Sequence, residues 1–141
     1  MSKFGPIIVI EDDADDKLMF EDVLKKLNFQ NKLIWFDNTD DALHYLETTT
    51  DSIFIIFSDI NIPGRNGLDF KKKIDSMPEL RQKSIPFVFY STSARQHDVD
   101  EAYSKMTVQG FFKKPRDYSE IKITIATILE YWKMCRHPNI Q

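Results

Sequence analysis

A doubly wound α/β domain, one five-stranded parallel sheet with five helices, is the fold class that three observations predict. Short apolar runs alternate strictly with stretches of helical spacing along the chain. Parallel strands need helical crossovers, so strict alternation points to a parallel sheet. The apolar runs also stop at polar groups able to do chemistry: Glu11-Asp12, Asp59, Ser91-Thr92 and Lys113-Lys114-Pro115. In open α/β sheets ligands bind outside the carboxyl ends of the strands, so these groups are expected at one edge.

Each element has its own justification. Ile7–Ile10 reads as a first strand, followed by a helix from Asp15 to Leu27 with Phe20, Val23, Leu24 and Leu27 at helical spacing. Its acids in the first turn and Lys25-Lys26 in the last suit the helix dipole. Leu33–Phe36 is a second strand; Asp37-Asn38-Thr39 caps a helix over Asp40–Leu46. Ile53–Ser58 is the third strand and the most apolar, hence central. A third helix runs from Gly67 to Ser76, with Leu68, Phe70 and Ile74 inward and Lys71-Lys72-Lys73 on a solvent face. Met77-Pro78 interrupts the chain there. The fourth strand covers Ile85–Tyr90, with Pro86 at its start, where proline is tolerated. Asp98–Met106 is a fourth helix and Val108–Lys113 a fifth strand. Asp117 to Glu120 opens a last helix with an apolar stripe of Ile121, Ile125, Ile128, Leu129 and Trp132.

Composition narrows the function classes. The 141 residues fit one domain over 1–141, with its core at about 5–135, against a usual ~100–200 residues per domain. Hydrophobic residues make up 42% and charged residues 29%, which suits a soluble globular chain. The net charge of −3 gives no general attraction to nucleic acid or to anionic lipid. A single cysteine, Cys135, excludes an internal disulfide and a multi-cysteine zinc site. No signal peptide is visible, and Ile53–Phe57 is far shorter than the ~20 residues that span a bilayer, so a cytoplasmic location is expected. His44, His97 and His137 are scattered and read as surface residues, Trp35 as core.

Asp59 is the residue around which the chemistry gathers. It ends the most apolar run and opens the turn Asp59-Ile60-Asn61-Ile62-Pro63-Gly64-Arg65-Asn66-Gly67. If the first and third strands lie side by side, Glu11-Asp12 meets Asp59, and such a cluster needs a cation. Asp12, Asp59 and a backbone carbonyl are hard oxygen ligands with no histidine or thiolate among them, which favours Mg²⁺ over zinc. A metal with open positions beside a lysine suits a phosphoryl group, which a carboxylate accepts as an acyl phosphate. Ser91 supplies a hydroxyl donor to a phosphoryl oxygen. Asp13 is expected only to begin the first helix.

Four pieces in order resemble a response-regulator receiver domain of the chemotaxis-regulator, flavodoxin-like kind. They are Ile8 to Asp13, Ser58 to Gly67, Ile85-Pro86 through Ser91, and Gly110-Phe111-Phe112-Lys113-Lys114-Pro115. The long last helix with Tyr131-Trp132 further resembles single-domain regulators paired with bacterial phytochrome kinases. The resemblance implies that Asp59 takes a phosphoryl group from a histidine kinase or phosphotransfer protein. It implies Mg²⁺ on Asp12, Asp59 and the main-chain carbonyl of Asn61, with Glu11 acting through water. Lys114 would pair with the phosphoryl group beside a cis Lys114-Pro115 bond. Ser91 and Thr92 would follow the phosphoryl oxygen, and Phe111 would be the switching aromatic.

Two departures stand out: Glu11 replaces the more usual aspartate, and Phe111 lacks a tyrosine hydroxyl. With no output domain expected, the signal would pass to a downstream protein or through a homodimer, without nucleic acid or membrane. The chain would be no enzyme beyond its own phosphorylation and dephosphorylation. A degenerate receiver acting as an unphosphorylated binding module is one alternative. A Mg²⁺-dependent phosphohydrolase is another, disfavoured because Asn61 stands where those enzymes carry a second aspartate.

Overall fold

Residues 2–138 are described by a computed structural model of the chain. A short 3₁₀ turn, Ser2–Phe4, precedes β1 (Ile7–Ile10), α1 (Ala14–Lys26), β2 (Leu33–Phe36) and α2 (Thr39–Thr48). Then come β3 (Ile55–Ser58), α3 (Gly67–Ser76), α4 (Pro78–Lys83), β4 (Phe87–Ser91), α5 (Gln96–Lys105), β5 (Gly110–Lys113) and α6 (Tyr118–Met134). The five strands form one parallel sheet in the order β2-β1-β3-β4-β5, with Ile10 beside Ser58 and Ser58 beside Phe89. The strand order therefore reverses between β1 and β3, the place where such sheets leave a crevice for ligands.

Alternation along the buried strands feeds two cores, one on each face. Ile8, Ile10, Ile56, Phe87 and Phe89 point to the side covered by α2, α3, α4 and α5. Ile7, Val9, Ile55, Phe57, Val88 and Tyr90 point to the side covered by α1 and α6. β1, β3 and β4 are buried at every position, as strands covered on both faces must be. The expected stripe of the last helix holds: Ile125, Ile128 and Leu129 are buried, with Ile121 and Trp132 packed alongside. Among the described residues no helix is long and apolar enough to cross a membrane.

Among the described residues there are six α-helices rather than the expected five. The interruption at Met77-Pro78 starts its own helix, because Met77 is held extended before the proline and Pro78 takes the first helical position, where its missing N–H costs nothing. α4 ends at Ser84, whose φ of 52° is left-handed. The fourth strand begins at Phe87, later than expected, while the Pro86 carbonyl accepts from the Ile56 N–H at 2.9 Å.

Two surface assignments are overturned by burial. His137 is buried against Phe54, whose carbonyl oxygen lies 2.6 Å from its Nε2. Lys71 is buried instead of facing solvent with its neighbours. Its ammonium donates to Asp75 Oδ1 at 2.9 Å and to Thr107 Oγ1 at 3.0 Å, over the face of Phe87. Thr107 donates its own N–H to Asp75 Oδ2 at 2.9 Å and its hydroxyl to Oδ1 at 2.7 Å. This network ties α3 to the segment leading into β5.

Burial raises the Asp75 carboxyl, but the two Thr107 bonds and Lys71 outweigh it and hold the group below its ordinary range. Burial pushes the Lys71 ammonium the other way, down from its ordinary value. Replacing Asp75 with Asn leaves that ammonium without its anion, and breaking a buried pair in this way costs about 3–5 kcal/mol. Urea unfolding of Asp75→Asn at neutral pH should show a loss of that order. A carboxylate with a depressed folded-state pKa stabilises above the unfolded pKa and loses that contribution as pH falls through the folded one. The gap between Asp75→Asn and the native chain should therefore close on acidification.

Candidate functional site at the carboxyl ends of β1, β3, β4 and β5

β1 and β3 run side by side and end together, so Glu11 and Asp59 arrive as neighbours. The ladder continues one step past the strands: Glu11 N–H donates to the Phe36 carbonyl at 2.9 Å, and Asp59 N–H to the Ile10 carbonyl at 3.0 Å. Lys114 is placed in the same way, its N–H donating to the Ser91 carbonyl at 2.8 Å. Three side chains, those of Glu11, Asp59 and Lys114, are thus aimed by backbone registry, before any of their own contacts are counted.

Asp59 is 8% exposed and its carboxylate is held on both oxygens. Oδ1 accepts from the Ser91 hydroxyl at 2.7 Å, the Ile60 N–H at 2.6 Å and the Asn61 N–H at 3.2 Å. Oδ2 accepts from the Lys114 ammonium at 3.0 Å. Burial alone raises the Asp59 carboxyl, but the Ser91 bond and the Lys114 charge outweigh it and keep the group below the usual carboxylate range. Ser91 is fully buried and also accepts the Ser93 N–H at 3.2 Å, which fixes the hydroxyl toward Asp59.

Lys114 is the hub. Its ammonium donates to Glu11 in a short contact, to Asp16 Oδ2 at 3.0 Å and to Asp59 Oδ2 at 3.0 Å, and lies 5.7 Å from the centre of the Tyr90 ring. Burial works against its charge, yet the three carboxylates raise its pKa above the ordinary lysine value. Glu11 fares differently. Burial pushes its carboxyl up to about 8 despite the pull of Lys114, with the charge of Asp59 adding to the rise. Asp59 has a hydroxyl and two backbone donors besides the lysine; among the described residues Glu11 has the lysine alone. The anionic form is therefore favoured on Asp59 and disfavoured on Glu11.

The turn after Asp59 is held close by Gly67. Its N–H donates to the Ile60 carbonyl at 2.8 Å, and a Cβ there would collide with the Asp59 carbonyl oxygen. Trp35 buttresses the other strand end, its Nε1 donating to the Glu11 carbonyl at 2.7 Å.

Of the residues expected here, Glu11, Asp59, Ser91 and Lys114 are brought together. Asp12 is exposed and forms no hydrogen bond or ion pair among the described residues. Asn61 touches the site through its N–H, and Thr92 lines a small cleft with Asp16, Lys114 and Pro115. Among the described residues no three acidic, histidine or cysteine side chains surround a common point as metal ligands; the Lys114 ammonium sits where the acids converge. Asp13 caps α1, accepting the Asp15 N–H at 2.8 Å. The Lys114–Pro115 bond is trans, against the expected cis form: no cis peptide occurs among the described residues. The two isomers of a bond to proline differ by only about 0.5–1 kcal/mol, so local packing decides between them, and here the trans bond already brings Lys114 to the carboxylates.

Sequence reasoning missed Asp16. Its position four residues before the buried Phe20 sets it on the inward face of α1, and that spacing is the signal that could have found it. It also missed Tyr103. Phe111 is half-buried, its ring 5.6 Å from Phe89, and its N–H donates to the Tyr103 hydroxyl at 2.9 Å. That bond covers the outer edge of β5 with a side chain of α5. Removing it in Tyr103→Phe should speed hydrogen exchange of the Phe111 amide by about 2–10-fold, the size of one net hydrogen bond. An unchanged rate would mean that the edge is covered by something else.

The family of response regulator receiver domains matches residues 7–126. The probable methanogenesis regulatory protein FilR2 of Methanothrix harundinacea is 28% identical over 130 residues, 89% of this chain and 82% of its own. The response regulator Rcp1 of Synechocystis is 25% identical over 131 residues, 89% of this chain and 87% of its own. Among solved structures, the phosphorylated cyanobacterial phytochrome response regulator RcpA superposes with a TM-score of 0.82 at 23% identity, covering 92% of this chain and 94% of that one. The Mn²⁺-bound form of Rcp1 gives 0.80 at 24% identity, covering 91% and 94%.

Proposed function

Because the chain belongs to the response regulator receiver family, we propose that Asp59 accepts a phosphoryl group from a phosphohistidine and that the altered charge is read by a protein partner. The observation that carries this reading is the buried Asp59 carboxylate held by Ser91 on one oxygen and by Lys114 on the other. The bonds to Oδ1 from Ser91, Ile60 and Asn61 fix the plane of the carboxylate. The other oxygen attacks phosphorus, a P–O bond forms and the P–N bond to the donor imidazole breaks. Lys114 then donates to a phosphoryl oxygen in place of the carboxylate, and the Ser91 hydroxyl turns to another.

Mg²⁺ suits the donor set: Glu11 and Asp59 are hard oxygen donors, and one ammonium is too little positive charge for the acids that share it. Asp12, Asp59 and the main-chain carbonyl of Asn61 would hold the ion, with Glu11 reached through water. When bound, it neutralises charge that builds on the transferring phosphoryl group. The metal-bound Rcp1 and phosphorylated RcpA make the same chemistry reasonable on this fold.

The output is a shift between two pre-existing arrangements. Withdrawal of Ser91 toward the phosphoryl group frees space beside β4, and Phe111, packed on Phe89 at the adjoining strand, follows. The surface of α5, β5 and α6 changes with it, and the exposed Tyr103 and Tyr131 lie there for a partner or a second copy. The donor is a sensor histidine kinase or a phosphotransfer protein. Asn61, two residues after the phosphoacceptor, offers no carboxylate for acid–base turnover of outside substrates.

Incubation with acetyl phosphate and Mg²⁺ should add one phosphoryl group by intact mass. The adduct should be labile to hydroxylamine and absent in Asp59→Asn or without Mg²⁺. A protein that binds Mg²⁺ yet gives no adduct contradicts the proposal.

A further inference from the structure

The three N–H donors of the Lys114 ammonium meet three carboxylates: Glu11, Asp16 and Asp59. Two of these belong to the set read above as holding Mg²⁺. Asp16 does not. It lies in the first turn of α1, where Asp13 already serves as the cap, and its side chain is 44% exposed against 5% for Glu11 and 10% for Asp59. A divalent cation drawn to Glu11 and Asp59 must share those oxygens with an ammonium, and two cations on the same carboxylates repel one another. The lysine needs another anion within reach if it is to stay in the site before a phosphoryl group arrives.

We infer that Asp16 is that anion: a positioning residue that would hold Lys114 while Mg²⁺ is held by Asp12 and Asp59, with Glu11 reached through water, and from which the lysine moves to the phosphoryl group. This rests on the reading of Asp59 as a Mg²⁺-dependent phosphoacceptor. The lysine need not leave the crevice, because all three carboxylates already lie within one hydrogen bond of Nζ. Asp15, its neighbour in the same turn, carries the same charge without touching Lys114; its N–H is spent on Asp13. The pair Asp15 and Asp16 therefore separates a direct contact from a general field.

Trp35 gives the readout, since its indole is bonded to the backbone of Glu11. In a Trp132→Phe background, where Trp35 is the remaining tryptophan, Mg²⁺ alone is titrated against its fluorescence. Asp16→Asn should weaken Mg²⁺ binding by roughly five-fold, within the range of couplings between contacting residues, and Asp15→Asn by less than about two-fold. Asp16→Glu, which keeps the carboxylate, should recover most of the loss. Equal effects of Asp15→Asn and Asp16→Asn, or none from either, overturn the inference while leaving the phosphoacceptor reading intact. A native chain that fails to bind Mg²⁺ overturns both.

Discussion

One buried ammonium keeps this end of the sheet from flying apart. The ends of β1 and β3 bring Glu11 and Asp59 together where the strand order reverses, and α1 adds Asp16 from the side. Carboxylates taken out of water side by side repel one another and lose hydration, each cost amounting to several kcal/mol per ion. Lys114, delivered by the end of β5, meets all three. The rest of the edge can be understood as what aims that lysine and what divides its charge among the acids.

Backbone registry does the aiming. Glu11, Asp59 and Lys114 each extend a parallel ladder by one hydrogen bond, so their side chains leave the sheet at set positions and little loop freedom must be frozen. The division of charge follows from the donors each acid has. Asp59 gathers a hydroxyl and two backbone N–H groups and is held below the ordinary range, whereas Glu11 depends on the shared lysine and is raised to about 8 by burial. Of two neighbouring acids, the one with the larger hydrogen-bond shell keeps the negative charge. That is what the proposed attack on phosphorus requires of Asp59.

Much of this was legible in the chain. Runs of Ile and Phe ending at Asp59, at Glu11 and at Ser91 gave the strands and their polar ends, because burial on both faces writes a continuous apolar run. The boundary of β2 is as expected, and α1 is shifted by one residue at each end. What escaped depends on partners distant in sequence. Lys71 reads as one of three surface lysines until Asp75 and Thr107 are seen to enclose it, and Asp16 reads as a helix-dipole acid until Lys114 is seen to reach it. His137 lies beyond the last helix, and only the fold brings it to Phe54. α4 was hidden because proline is both a helix breaker and a favoured first helical residue.

The acidic edge depends on a cation, and Lys114 is that cation when no metal is bound. Urea unfolding of Lys114→Met beside the native chain, each with chelator and with saturating Mg²⁺, measures that dependence. Without metal the variant should lose about 3–5 kcal/mol, the cost of leaving buried charge unpaired. Mg²⁺ should restore a large part of that loss and stabilise the variant more than the native chain. Equal stability of the two proteins in chelator, or a deficit that Mg²⁺ leaves untouched, would mean that the edge does not depend on a cation.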